Sequence, residues 1–240
     1  MDNKALDKAN IDNLTALWRA MGTRADSGIA GMHASAGWPN RCWFDWGEEP
    51  TAPEDDLLAQ LPPQATVPLW AADERNSPLE RALVSNGFAV CLEQRAMHLN
   101  LHSWAGASPG ELRLSRVASL PQVESWTDVC SRAFGYPIEV AVIQRIAKDP
   151  AVRLLQARIE KKVVATALLY KTGTVIGVHQ VGVPPEYRGK GIAGTLMRNI
   201  LTTCREWQGR FVTLQASAAG EGLYRKLGFE LRFRIDSYRR

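Results

Sequence analysis

Apolar residues recur every three to four positions over 4–21, where Leu6, Ile11, Leu14, Leu17, Trp18 and Met21 fall on one side of a helix. The next segment, 37–62, mixes Trp38, Trp43 and Trp46 with many prolines. It predicts a short strand at 41–44 and an acidic helix near 54–60. A buried strand is expected at 67–72 and a short helix at 78–86, ended by Gly87. Strands at 88–92 and 95–101 follow. The small, proline-containing stretch SWAGASPG, 103–110, is the best linker.

Beyond it the pattern becomes clearer. A strand at 111–116 leads to helices at 121–134 and 137–148. Three strands come next, 152–159, 163–170 and 175–183, separated by short turns as in an antiparallel meander. A helix over 191–207 has Ile192, Leu196, Ile200, Cys204 and Trp207 on one face. A strand at 211–216, a helix at 220–227 and a strand at 229–238 complete the chain.

Composition narrows the class without naming a chemistry. The 240 residues are 45% hydrophobic and 22% charged, as in a globular chain of one large or two small domains. The N-terminus, MDNKALDKAN, lacks the apolar core of a secretion signal, and no apolar run approaches the ~20 residues that span a bilayer. A cytoplasmic location with no membrane partner is therefore expected. Four scattered cysteines form no CxxC pair, and four histidines form no HExxH spacing, so no metal is expected. A formal charge of +4 fits an anionic ligand. No lysine-rich tail, RNA-recognition signature or zinc-finger spacing points to nucleic acid.

The stretch with chemistry is VHQVGVPPEYRGKGIAGTLM, 178–197. Glycines at 189 and 191 let the backbone turn without Cβ clashes, and successive N–H groups in such a turn form an anion nest. The helix that follows adds unpaired N–H groups and the positive end of its dipole. Arg188 and Lys190 add formal charge, so a phosphate or pyrophosphate is the natural occupant. The Walker A string GxxxxGK[ST] is absent. GxGxxG is literally present as Gly189, Gly191 and Gly194. It lacks the acid expected about 20 residues on and the remaining length for a doubly wound sheet.

The order of three strands, an RxxGxA loop, helix, strand, helix, strand resembles the GCN5-related N-acetyltransferase (GNAT) family. Arg188, Gly191 and Ala193 match its Q/R-x-x-G-x-G/A positions, and the later LYRKLGF matches as well. The resemblance covers about 111–240. It implies an α+β fold with a mixed, mostly antiparallel sheet and flanking helices. It also implies an enzyme that moves an acetyl group from acetyl-CoA directly to a primary amine, on a small molecule or a peptide. The alternative is a non-catalytic acyl-CoA-binding sensor or scaffold.

On that resemblance Val181, Gly182 and Val183 offer backbone groups to the cofactor, with the thioester polarised by an N–H near Val181. Arg188, Gly189, Lys190, Gly191, Ile192 and Ala193 grip its pyrophosphate. Tyr224 matches the tyrosine that protonates the leaving thiolate. His179 stands where some relatives carry a histidine base. Strict alternation would put it on one face with Gly177, Val181 and Val183. Glu139 is a looser second base candidate. Where many relatives carry a cofactor-touching asparagine, this chain reads ASAA, and Ser217 is the substitute.

The first half contains an echo of the second. SPLERALVSNGFAVCLEQRAMHLNL, 77–101, repeats the helix, Gly-Phe stop and strand of GEGLYRKLGFELRFRIDSY, 220–238. With no RxxGxG/A string in 1–110, the expectation is two tandem copies: a degenerate GNAT-like domain at 1–105 and an acetyl-CoA-binding domain at 106–240. The tryptophans of the first half are expected in core and inter-domain packing. Oligomeric state is not legible.

Overall fold

The structure, a computed structural model, describes residues 1–24, 27–50, 58–70, 77–106 and 112–240. Most of the expected 54–60 helix and the ends of the 67–72 strand and of the linker lie outside these residues. The chain forms two compact units. The first holds residues 1–97, 215–224 and 230–240; the second holds 98–214 and 225–229.

The first unit opens with helix α1 (Asn3–Met21). The Asp2 carboxylate accepts a hydrogen bond from the Ala5 N–H at 2.8 Å and caps the helix, and Gly22 ends it. Its buried face carries Leu6, Ile11, Leu14, Leu17, Trp18 and Met21, the positions that set the period. Short strands β1 (His33–Ala34) and β2 (Cys42–Trp43) pair antiparallel. Strand β3 (Val67–Leu69), helix α2 (Pro78–Ser85) and strand β4 (Ala89–Asn100) follow. β4 is one continuous strand where the sequence suggested two, and it passes into the second unit after Met97.

The last two elements of the chain, helix α6 (Ala218–Lys226) and strand β10 (Glu230–Arg239), also contribute to this unit. β10 lies between β3 and β4, with Asp236 opposite Leu69 and Tyr238 opposite Val67. Around these strands sits a core of Met32, Phe44, Leu58, Leu79, Leu83 and Phe88, among others. Trp18, Trp38, Trp43 and Trp70 are buried, as core tryptophans would be. Trp18 meets Trp43 edge-on at 5.2 Å, and the Trp70 N–H donates to the Phe44 carbonyl.

The second unit is a five-stranded sheet in the order β9-β8-β7-β6-β5. Its strands are β5 (Arg113–Arg116), β6 (Val152–Ile159), β7 (Lys162–Thr172), β8 (Val175–Gly182) and β9 (Phe211–Ala216), the last passing into the first unit after Leu214. β5 to β8 pair antiparallel, and β8 pairs β9 in parallel. Between β5 and β6 the chain forms α3 (Leu120–Phe134) and α4 (Val140–Ile146). α4 is shorter than the expected 137–148. A capping box at Ser119 and Gln122 starts α3, and Gly135 in the left-handed region ends it. Helix α5 (Ile192–Glu206) connects β8 to β9 and buries Ile192, Leu196, Met197, Ile200, Leu201 and Cys204. Each such aliphatic side chain contributes roughly 1.5–3 kcal/mol of burial.

Candidate active site

The parallel ladder between β8 and β9 is short. It pairs Val175 with Phe211, Ile176 with Val212 and Gly177 with Thr213, and goes no further. β8 runs on for five residues, Val178–Gly182, beyond the last paired position. This leaves the edge of β8 that faces β9 open to an extended ligand, in the manner of strand addition.

On its other edge β8 carries a bulge. Leu168 of β7 is opposite His179, yet Thr166 is opposite Gly182, so two steps on β7 span three on β8. The extra residue is Gln180, which adopts a left-handed φ of 50°. Directly opposed residues share a face, so His179 and Gly182 both lie on the face of Leu168 and Thr166. Strict alternation would have grouped His179 with Val181 and Val183; the bulge regroups it with Gly182. α3 covers this face at Gly182, where a Cβ would come within 2.8 Å of Ala133 Cβ and 3.1 Å of the Phe134 ring. His179 itself is buried, at 8% exposure.

Thr166 holds the bulge. Its hydroxyl donates to the Gln180 carbonyl at 3.2 Å, and the Cys130 thiol donates to Gln180 Oε1 at 3.5 Å. The peptide joining Gln180 to Val181 is trans, so its N–H points opposite to its carbonyl. With the carbonyl held by Thr166 on β7, the Val181 N–H is aimed away from β7. Sequence reasoning reached Val181 but missed Thr166 and the bulge. The bulge shows in the β7–β8 register and in the left-handed φ, and glutamine gives no sign of it in the sequence.

The loop after β8 begins with a one-turn 3₁₀ helix, Pro185–Tyr187. Gly189 and Gly191 then take φ of 76° and 72°, with no atom within 4 Å of where a Cβ would stand. Gly191 caps α5, and the first helical bond is from the Thr195 N–H to the Gly191 carbonyl at 3.2 Å. The N–H groups of Ile192, Ala193 and Gly194 precede that bond and have no intrahelical partner. Such a cradle fits a diphosphate.

Arg188 braces the loop. Its Nε donates to the Val183 carbonyl at 3.0 Å and its guanidinium to the Ala133 carbonyl at 2.7 Å. It ties the loop to the last turn of α3. Lys190 bonds the Glu186 carbonyl at 3.2 Å and lies 5.7 Å from the Tyr187 ring. Arg132 pairs with Glu186 at 2.6 Å, further bracing the loop.

The second unit thus brings together His179, Val181, Gly182, Val183 and the loop residues Arg188, Gly189, Lys190, Gly191, Ile192 and Ala193. Ser217 and Tyr224 lie in the first unit, on α6 and its cap. Ser217 is exposed, and its Oγ accepts from the Gly220 N–H at 3.3 Å. The Tyr224 ring packs against Gly220, where a Cβ would come within 3.1 Å of it. Burial pushes the Tyr224 phenol up to about 12. Glu139 is exposed at the N-cap of α4. Burial likewise raises the Cys130 thiol to about 12 and the Cys204 thiol further. Both are fully buried core side chains. Among the described residues no cluster of His, Cys, Asp or Glu is arranged to hold a metal. No helix among them is long and apolar enough to cross a membrane.

Residues 120–229 match the model of the acetyltransferase (GNAT) family. Among solved structures, the chain is similar to a GCN5-related N-acetyltransferase from Kribbella flavida. That match has a TM-score of 0.68 at 15% identity, covering 97% of this chain and 95% of that one. A GCN5-related N-acetyltransferase-like protein from Streptococcus suis gives 0.63 at 16% identity, covering 98% of each chain. One from Sphaerobacter thermophilus gives 0.57 at 21% identity, covering 73% of this chain and 59% of that one. No curated protein matches the sequence. With the open edge of β8, the amide-lined loop and these likenesses together, the chain has the GNAT fold, and its residues 120–229 match the model of the GNAT acetyltransferase family.

Proposed function

We propose that this protein transfers an acetyl group from acetyl-CoA directly to a primary amine. The observation that carries the reading is the continuity of β8 with the loop. A strand edge left open after Gly177 runs straight into the N–H cradle of Gly189–Gly194, as an extended pantetheine ending in a diphosphate requires. When bound, acetyl-CoA supplies the thioester. The edge of Val181–Val183 pairs with the pantetheine arm, and the loop amides hold the diphosphate.

The remaining roles belong to the chain. The Val181 N–H donates to the carbonyl oxygen as negative charge develops there. His179, on the α3 face, takes the proton of the attacking amine directly or through a water. The amine nitrogen forms its bond to the carbonyl carbon as the carbon–sulfur bond breaks. Tyr224 gives its proton to the departing sulfur, a role that rests on the LYRKLGF motif. Its phenol, held protonated by burial, is suited to this.

The tandem organisation, 1–105 and 106–240, belongs to the same proposal. It is supported by the like order of α2 then β4 and α6 then β10, each helix followed by a left-handed glycine, Gly87 and Gly228. So does a cytoplasmic location, where acetyl-CoA is made available. The test is calorimetry with acetyl-CoA, then thiol release against a panel of primary amines. Binding with amine-dependent thiol release is expected. Binding with no release from any amine would favour a sensor or scaffold, and no binding would overturn the reading.

A further inference from the structure

β5 ends the order β9-β8-β7-β6-β5, so its outer edge faces no other strand among the described residues. Which backbone groups lie on that edge follows from the ladder. Arg113, Leu114, Ser115 and Arg116 stand opposite Arg158, Ala157, Gln156 and Leu155 of β6. One step further, the Val117 N–H donates to the Leu154 carbonyl at 2.9 Å. In an antiparallel pair, hydrogen-bonded and non-bonded positions alternate. Val117, Ser115 and Arg113 therefore bond to β6, and the N–H and C=O groups of Leu114 and Arg116 point outward. Among the described residues none of those four groups has a partner.

The side chains beside this edge are cations set against cations. Arg113 is directly opposite Arg158, and Lys161 and Lys162 follow with one acid, Glu160. On the other face Arg116 is opposite Leu155, two residues from Arg153, which lies over the Trp207 ring at 4.0 Å. Burial, and then the Arg116 charge, hold the Arg153 guanidinium below its ordinary value. Among the described residues no carboxylate makes an ion pair with these four arginines. Charged edge residues do keep sheets from joining. That purpose calls for a charge on the edge strand, not for a second of the same sign across from it, since like charges directly opposite destabilise a pair. A negative partner lying along the edge removes the repulsion and fills the open backbone positions.

We propose that the outer edge of β5 docks an extended acidic polypeptide segment by strand addition, its carboxylates facing Arg113 and Arg158 on one side and Arg116 and Arg153 on the other. A nucleic acid would meet the same charge, but it has no peptide backbone to pair with the outward groups of Leu114 and Arg116. The edge is three strands from β8, roughly 14 Å at about 4.8 Å per strand. Docking there is separate from acyl transfer and does not rest on the acetyltransferase reading.

The probe is a fluorescein-labelled heptapeptide, TEETEET, titrated with the full-length protein at low salt and read by fluorescence anisotropy. It should bind the native protein. Arg113→Gln and Arg116→Gln should each weaken binding about two- to fivefold, and the double variant about tenfold. The same peptide with its backbone amides N-methylated keeps its charge and should bind at least about tenfold more weakly, because it cannot donate to the strand edge. Urea midpoints of the two variants should equal or exceed the native one, since each substitution removes a repulsion. The calorimetric Kd for acetyl-CoA should be unmoved. If the methylated peptide binds as well, or a thymidine oligonucleotide of equal charge displaces the probe as readily as unlabelled peptide, charge alone is being read and strand docking is overturned. Absence of binding, or binding unmoved by both substitutions, would overturn it too. So would a lowered urea midpoint, which would reveal a structural partner for the arginine replaced.

Discussion

Replacing Thr166 with valine removes one hydroxyl and changes little else, since the two side chains have nearly the same shape. Thr166 is fully buried at the bulge. The lost bond, 3.2 Å to the Gln180 carbonyl, is the one that fixes the peptide carrying the Val181 N–H. Leaving that carbonyl without its partner costs about 1–3 kcal/mol, so a lower urea midpoint is expected. The effect on catalysis is separate. Removing an oxyanion donor outright costs roughly 10²–10³ in kcat. A donor that stays but loses its aim should cost less, about tenfold to a hundredfold. In the proposed function the diphosphate is held by the loop and α5, so the KM for acetyl-CoA should change by less than about threefold, well within 1.4 kcal/mol. Thr166→Ser keeps the hydroxyl and should recover most of the lost kcat. The assay is steady-state thiol release under saturating amine, beside urea unfolding of each variant. A Thr166→Val enzyme with native kcat, or a serine variant as impaired as valine, would refute the argument that this hydroxyl aims the peptide.

Gly182→Ala should destabilise the fold by about 1–3 kcal/mol through overpacking against Ala133 at 2.8 Å, and Ala133→Gly should offset part of it, read as non-additivity in urea unfolding. Gly191→Val should weaken acetyl-CoA binding by strain at φ 72°, and Gly191→Asn, which tolerates that region, should weaken it less; calorimetry decides. Arg188→Met should weaken acetyl-CoA binding about tenfold by freeing the loop from Ala133 and Val183, with little loss of melting temperature. Tyr224→Phe should slow turnover about 10²-fold with binding retained. Because burial raises its pKa from 10 to about 12, Tyr224 adds stability that is fully present below pH 10 and lost as pH rises towards 12. Alkaline unfolding between those values should therefore be less steep in the Phe variant.

Local signals in the sequence carried most of the second unit. Val152–Ile159 and Phe211–Ala216 appear as strands with the predicted ends, because alternation and turn residues act within a few positions. The loop was legible for the same reason. Gly189 and Gly191 have left-handed φ that glycine alone adopts without strain, and a helix must leave its first N–H groups unpaired. The meander of β6, β7 and β8 followed from short turns between apolar runs.

Tertiary structure decided what depends on partners distant in sequence. The reading of Glu93 and Gln94 as a break in β4 failed because strand length is set by ladder pairing as well as by local polarity. The bulge at Gln180 exists because Thr166 and the register with β7 hold a glutamine in a conformation its own propensity disfavours. It moved His179 to the face of Gly182, which no count along β8 alone would give. Arg188 reads from its charge as a phosphate ligand, and its bonds to the Ala133 carbonyl of α3 and the Val183 carbonyl could be seen only in the folded chain. The sequence by itself thus determined the order of most helices and strands and the place of the amide cradle, since these are set by backbone freedom and spacing, but not the extent of β4 or α4. Which face each side chain serves was decided by cross-strand register and packing, which couple residues tens of positions apart.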